Sequence, residues 1–130
     1  MILLDTDICI ELLRGNKKIM ERRNEYDAGT GISFMTVAEL YYGAESSSRK
    51  AENTSLIQQF FLTVTVIHTD YDILRRFGIL KAALKKESTL LPDADLLIAA
   101  TALSKAEMLI TGNMKHFKRI PGLVIENWTS

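Results

Sequence analysis

Cysteine is almost missing. Cys9 stands alone among 130 residues, so no disulfide forms within the chain, which fits a reducing compartment such as the cytoplasm. Long apolar runs are missing too: nothing nears the ~18 uninterrupted apolar residues of a bilayer span, so no membrane association through a spanning helix is expected. The N-terminus has no basic flank and carries Asp5 inside its one short apolar run, so it does not read as a signal peptide. An excess of one charge is also absent, with 16 basic against 16 acidic residues. A protein that holds nucleic acid by bulk charge usually carries a basic surplus, so any such contact must be local. Repeats, low-complexity tracts and Pro/Ser/Gly linkers do not occur, and the length suits one domain over residues 1–130. No GxSxG, P-loop or GxGxxG appears, and His68 and His116 are not spaced as a metal pair.

What is present is alternation of short apolar strands with helices. Ile2 to Leu4 reads as a buried strand, followed by a helix from about Thr6 to Arg14 that Gly15 stops. A charged helix runs to about Tyr26, "DAGTG" is a loop, and Ile32 to Phe34 is a second strand. Thr36 starts a helix ending near Gly43, and Ser46 to Leu62 forms another. Thr63 to His68 alternates and is β-branched, the clearest strand pattern in the chain. Asp70 to Lys86 is helical, with Ile73, Leu74, Phe77, Leu80 and Leu84 at core-facing spacing. Pro92 suits a helix start, and the "PDADLLIAATAL" that follows is apolar on nearly every side, so it must be covered all round. Met108 to Ile110 is a strand, "TGNMKHF" a loop with a helical turn, and Leu123 to Glu126 a last strand. This order predicts an α/β protein with a parallel sheet between helical layers, whose ligands bind at the carboxyl ends of the strands.

Carboxylates gather at that edge. Asp5 and Asp7 follow the first strand, Glu39 lies early in the helix after the second, and Asp93 and Asp95 open the apolar helix. Helix chemistry accounts for each singly: Asp5 or Asp7 as an N-cap, Thr36 and Glu39 as a capping box, Asp93 and Asp95 at the positive end of a helix dipole. Asp95, however, shares a face with Ile98, Ala99 and Ala102, which turns it toward the interior. Two like charges ~4 Å apart repel by about 4 kcal/mol at an effective dielectric near 20. Dipole gains of roughly 0.3–1 kcal/mol each do not offset several such pairs. A divalent cation does, and hard oxygen donors without Cys or His partners suit Mg²⁺ or Mn²⁺ rather than zinc. Cys9 reads as a small buried hydrophobe, Tyr41 and Tyr42 as half-buried helix residues, and Trp128 as packing for the C-terminal tail.

The segments "LLDTDICIELLRG", "TVAELYYGA", "PDADLLIAATAL" and "TGNMKHFKRIPGLVIENW" occur in an order and spacing that resembles PIN-domain proteins, most of all the VapC toxins of bacterial toxin–antitoxin pairs. The resemblance spans essentially the whole chain. It implies a three-layer α/β/α sandwich with a central parallel sheet of about five strands and a Mg²⁺- or Mn²⁺-dependent endoribonuclease site. It places the family's first three acids, the expected catalytic metal ligands, on Asp5, Glu39 and Asp95. Asp7 stands where the family often has Asn. His116 stands where it commonly has an acid, so a second metal, if any, is expected to bind weakly or only with substrate. Asp7, Asp93, Thr111, Asn113 and His116 are the expected orienting or substrate-facing groups, and Lys115, Lys118 and Arg119 the expected RNA-phosphate contacts. The implied partners are a structured RNA such as a tRNA, a cognate VapB-like antitoxin and a second copy of the chain. The apolar Ile57, Phe60, Phe61 and Leu62 and the charged Gly15 to Tyr26 segment are the expected interaction surfaces. Two other readings remain open at this stage. Asp5-Thr6-Asp7 resembles the DxD nucleophile motif of haloacid-dehalogenase phosphatases, although Cys9 stands where that motif wants Thr or Val and no downstream lysine-plus-acid motif is evident. The missing fourth acid also suits a PIN-like RNA- or protein-binding module.

Overall fold

A computed structural model of the chain describes residues 1–26 and 29–129; the predicted "DAGTG" loop lies outside the described residues at Asp27 and Ala28. The chain runs through β1 (Ile2–Leu4), α1 (Thr6–Leu13), α2 (Lys17–Asn24), β2 (Thr30–Ser33), α3 (Phe34–Glu45) and α4 (Lys50–Phe61). It continues through β3 (Thr65–Ile67), α5 (Tyr71–Lys86), α6 (Asp93–Lys105), β4 (Leu109–Ile110), α7 (Met114–Phe117) and β5 (Ile125–Glu126). The strands form a five-stranded sheet in the order β3-β2-β1-β4-β5, and every pairing is parallel. The expected α/β sandwich is therefore present.

Strand alternation sorts the core into two layers. Leu3 and Leu109 face a cluster with Leu80, Leu84, Leu96, Ile98 and Phe117. Their neighbours Ile2, Leu4 and Ile110 face the opposite cluster, with Ile8, Ile19, Leu40, Ile57 and Trp128. The helix α6 buries Leu96, Ile98, Ala99, Ala100, Thr101 and Ala102, as a stretch apolar on every side requires. The buried Thr101 hydroxyl donates back to Leu97 O at 2.8 Å, which satisfies it within its own helix.

Several local expectations are corrected. The cap of α3 is Ser33, whose Oγ accepts from the N–H groups of Met35 and Thr36 at 3.1 Å each. Thr36 lies fully buried inside the helix, so the Thr36–Glu39 capping box does not form. Pro92 is the extended N-cap residue of α6 (φ −55°, ψ 146°) rather than its first helical one. Helix α4 starts at Lys50, later than the Ser46 expected. Ile57 and Phe60 are largely buried in the chain's own core; Phe60 supplies no interaction surface, and Ile57 shows only in the lining of a cleft with Ile10, Leu13 and Leu56. The exposed apolar groups on that side include Leu56, Leu62, Tyr41 and Tyr42, the two tyrosines a correction to their half-buried assignment. Cys9 and Trp128 are fully buried as expected, and Trp128 packs on Tyr26 with ring centroids 5.4 Å apart. Among the described residues no helix is long and apolar enough to cross a membrane.

Candidate active site

Strand order reverses beside β1: the chain moves from β1 to β2 and β3 on one side, then crosses to β4 and β5 on the other. The carboxyl ends of β1 and β4 thus flank the crevice where an open parallel sheet binds its ligands. Asp5 follows β1 and Thr111 follows β4. Burial of Asp5 is nearly complete, at 6% exposure, and each of its oxygens has a donor. Thr6 N–H donates to Oδ1 at 2.8 Å, which makes Asp5 the N-cap of α1, and the Thr111 hydroxyl donates to Oδ2 at 2.7 Å. Thr111 in turn accepts from Asn113 N–H at 2.9 Å.

Asp7 lies on the first turn of α1 and faces the same crevice. Its Oδ1 accepts from Ile8 N–H and its Oδ2 from Gly112 N–H, both at 2.8 Å. A Cβ at position 112 would stand 2.8 Å from Asp7 Oδ2 and 3.2 Å from Thr129, so this approach of backbone to carboxylate needs glycine. Sequence reasoning left Gly112 out, and the signal available was a glycine directly after an apolar strand.

The electrostatics are those of crowded anions. Burial first, then the charge of Asp7 and more weakly that of Asp95, push the Asp5 carboxyl up from 3.8 to about 7, against the lowering pull of its Thr111 and Thr6 donors. Burial also raises Asp7, while its backbone donors at Gly112 and Ile8 hold it down. The same burial and the same two carboxylates push the Cys9 thiol well up, so it stays neutral and is no nucleophile.

Glu39 reaches the site from α3. Its Oε1 accepts from the Thr6 hydroxyl at 2.7 Å, and Thr6 Oγ1 lies 3.0 Å from Thr36 Oγ1. Asp95 reaches it from α6, with Oδ2 2.8 Å from His116 Nδ1; Asn113 Nδ2 lies 2.8 Å from the same ring nitrogen. That nitrogen serves one neighbour at a time. Carrying a proton it donates to Asp95, and bare it accepts from Asn113; an ionised Asp95 selects the first. Asp93 does not join them. Its exposed carboxylate pairs with Lys81 at 3.0 Å, because two residues along a helix turn the side chain to the other face. Lys115 and Lys118 are exposed and Arg119 half-buried on and just after α7, next to His116.

Among the described residues no three Asp, Glu, His or Cys groups stand close enough together to cage an ion as they are. Glu39 is held on Thr6, and Asp95 on His116. The donor set nevertheless suits a hard divalent cation: each ionised carboxylate oxygen of Asp5 and Asp7 spends one lone pair on a donor and keeps another. Asp5 is also buried under the fields of two further acids, the charge pattern a cation relieves.

A parallel α/β sheet with Asp5 and Asp7 at its switch point defines the class, and the PIN domain family profile matches residues 2–123. The chain belongs to the PIN-domain family, in its VapC branch. It is 35% identical over 127 residues to ribonuclease VapC2 of Haemophilus influenzae, covering 97% of this chain and 96% of that one. It is 33% identical over 127 residues to the tRNA(fMet)-specific endonuclease VapC of Salmonella typhimurium, with the same coverage. The crystal structure of VapBC2 from Rickettsia felis bound to a promoter DNA fragment superposes with a TM-score of 0.92 at 31% identity, covering 98% of this chain and 99% of that one.

Proposed function

We propose that the chain is a Mg²⁺- or Mn²⁺-dependent endoribonuclease, the toxin of a toxin–antitoxin pair, acting in the cytoplasm on a structured RNA such as a tRNA. The observation that carries this reading is Asp5: a buried carboxylate at the switch point, pressed by Asp7 and Asp95 and raised to about 7, in a chain 33% identical to a tRNA(fMet)-specific endonuclease. Asp5, Glu39 and Asp95 would hold the ion, which when bound supplies Lewis acidity toward the phosphodiester and acidifies water. The chain's own groups prepare that site. The Thr111 hydroxyl and Thr6 N–H fix the Asp5 carboxylate, Gly112 N–H fixes Asp7, and the proton on His116 Nδ1 fixes Asp95. Burial and the neighbouring acids favour the protonated form of Asp5, a proton that a bound cation would displace. Lys115, Lys118 and Arg119 meet RNA phosphates beside this edge, which an acidic site needs in order to attract a polyanion.

The partner we assign is a VapB-like antitoxin, supported by the likeness to a VapBC complex. A cleft of about 350 Å³ lined by Ile10, Leu13, Glu39 and Leu56 lies on the side of α1 and α4 that such a segment can cover. A second copy of the chain completes the expected assembly.

The test uses protein freed of any partner. Wild type is expected to cleave RNA with Mg²⁺ or Mn²⁺, EDTA to stop it, and Asp5→Asn or Asp95→Asn to abolish it. Cleavage that persists in EDTA overturns the metal mechanism.

A further inference from the structure

Thr36 is fully buried, and among the described residues its hydroxyl has one side-chain partner, Thr6 Oγ1 at 3.0 Å. Thr6 Oγ1 also touches Glu39 Oε1 at 2.7 Å. A hydroxyl owns one proton and two lone pairs, whereas an ionised carboxylate only accepts. Thr6 therefore spends its proton on Glu39, and Thr36 spends its own on Thr6. The chain has one direction, Thr36 to Thr6 to Glu39. The N–H of the same Thr6 donates to Asp5 Oδ1 at 2.8 Å. One residue thus grips two carboxylates that come from different elements, Asp5 at the end of β1 and Glu39 on α3.

We propose that Thr6 is the positioning residue that sets Asp5 and Glu39 relative to each other for cation binding, with Thr36 fixing the direction of the Thr6 hydroxyl; this rests on the ribonuclease reading. Thr36 and Glu39 are three apart on α3 and so share a face, which lets a single side chain at the head of α1 reach both. Without the Thr6 hydroxyl, Glu39 loses the donor that aims it, and the Thr36 hydroxyl is left in the core without its side-chain acceptor. The Asp5 contact survives, because it uses the main chain.

The experiment compares wild type, Thr6→Val, Thr6→Ser and the Thr6→Val/Thr36→Val pair by three readouts. These are Mn²⁺ affinity from electron paramagnetic resonance without RNA, kcat and KM on unfractionated tRNA, and melting temperature. Valine keeps the branched shape and lacks the hydroxyl, both its proton and its lone pairs. Thr6→Val is expected to weaken Mn²⁺ binding by about 10–100-fold and to lower kcat with KM little changed. Thr6→Ser restores both, and adding Thr36→Val to Thr6→Val recovers melting temperature by removing the orphaned hydroxyl, without recovering Mn²⁺ binding. A folded Thr6→Val protein that binds Mn²⁺ and cleaves tRNA as wild type does overturns the positioning role alone, as does a Thr6→Ser protein as impaired as Thr6→Val. Wild type that neither binds Mn²⁺ nor cleaves tRNA overturns the ribonuclease reading and this role with it.

Discussion

The Thr111 hydroxyl donates to Asp5 Oδ2 at 2.7 Å across the boundary between β4 and β1, joining residues 106 positions apart at the point where strand order reverses. The bond favours the charged form of Asp5 and so opposes the burial and the neighbouring acids that raise it. Thr111→Val keeps the shape and removes both this donor and the acceptor for Asn113 N–H. The Asp5 carboxyl is then expected to titrate above its present value of about 7, and stability above neutral pH to fall by roughly 1.5–3 kcal/mol, the usual worth of a hydrogen bond to a charged group. Melting curves at pH 5 and pH 8 check this: the lost Asn113 contact costs the same at both, and the larger deficit belongs at pH 8. An equal loss at both pH values contradicts the role.

Asp5 also sets a pH dependence whose sign follows from its direction of shift. Its folded value of about 7 lies above the ordinary 3.8, so the fold prefers the protonated acid. That contribution is complete below about pH 4 and is lost as pH rises through about 7. Asp7, also raised, acts in the same direction. In EDTA the melting temperature should fall from pH 4 to 7, and Mn²⁺ should restore it most at the upper end. Asp5→Asn should flatten the curve and stabilise the EDTA-treated protein at pH 8, while abolishing cleavage. A destabilised Asp5→Asn protein under those conditions counts against crowded anions as the cause.

The fold was readable from sequence because its signals are local. Three apolar residues before Asp5 mark β1, Gly15 ends the first helix, and the all-apolar face of α6 demands cover from both neighbours. Periodicity even separated Asp95 from Asp93, since only Asp95 lies on the stripe of Ile98, Ala99 and Ala102. The errors lie where a tertiary partner outbids a local one. Thr36 fits a capping box by spacing, yet its hydroxyl meets Thr6, 30 residues earlier, and Ser33 caps instead. The apolar excess on α4 looked like an interface until the packing of α3 and the sheet absorbed Ile57 and Phe60. For the same reason Thr6 and Gly112 were not singled out and Thr36 was given the wrong role: each matters through a contact from a distant segment, and none is acidic.

Gly112 is the least forgiving of these positions. Its N–H holds Asp7 Oδ2, and an added methyl would come within 2.8 Å of that oxygen. Gly112→Ala must therefore move either the loop after β4 or the Asp7 side chain, at a cost on the order of 1–3 kcal/mol. Asp7 sits against Asp5, so the displacement is expected to weaken Mn²⁺ binding as well. Asp7→Asn keeps an oxygen for the Gly112 N–H, gives up the one that accepts from Ile8 N–H and removes a charge, so it should retain the fold at a small cost and lower the Asp5 pKa toward its ordinary range. A titration of the two variants side by side separates geometry from charge; identical Mn²⁺ isotherms for Gly112→Ala and wild type would contradict the tight approach.

His116 presents the sharpest choice of chemistry. Its Nδ1 lies 2.8 Å from Asp95 Oδ2, and both side chains are partly shielded, at 35% and 21% exposure. With Asp95 ionised, that nitrogen is a donor, so the ring steadies a carboxylate and adds no negative charge of its own. His116→Ala releases Asp95 and is expected to weaken cation binding by about tenfold, at the low end for a group that orients a ligand. His116→Glu loses the donor but adds a hard oxygen, which suits Mg²⁺ better than an imidazole does. The ratio of Mg²⁺ to Mn²⁺ affinity should therefore rise in His116→Glu relative to wild type, while it stays unchanged in His116→Ala. Calorimetric titration with each metal, without RNA, reads the ratio directly. A ratio that moves alike in both variants would mean that the imidazole itself ligates the ion, and the donor role assigned to Nδ1 would have to be abandoned.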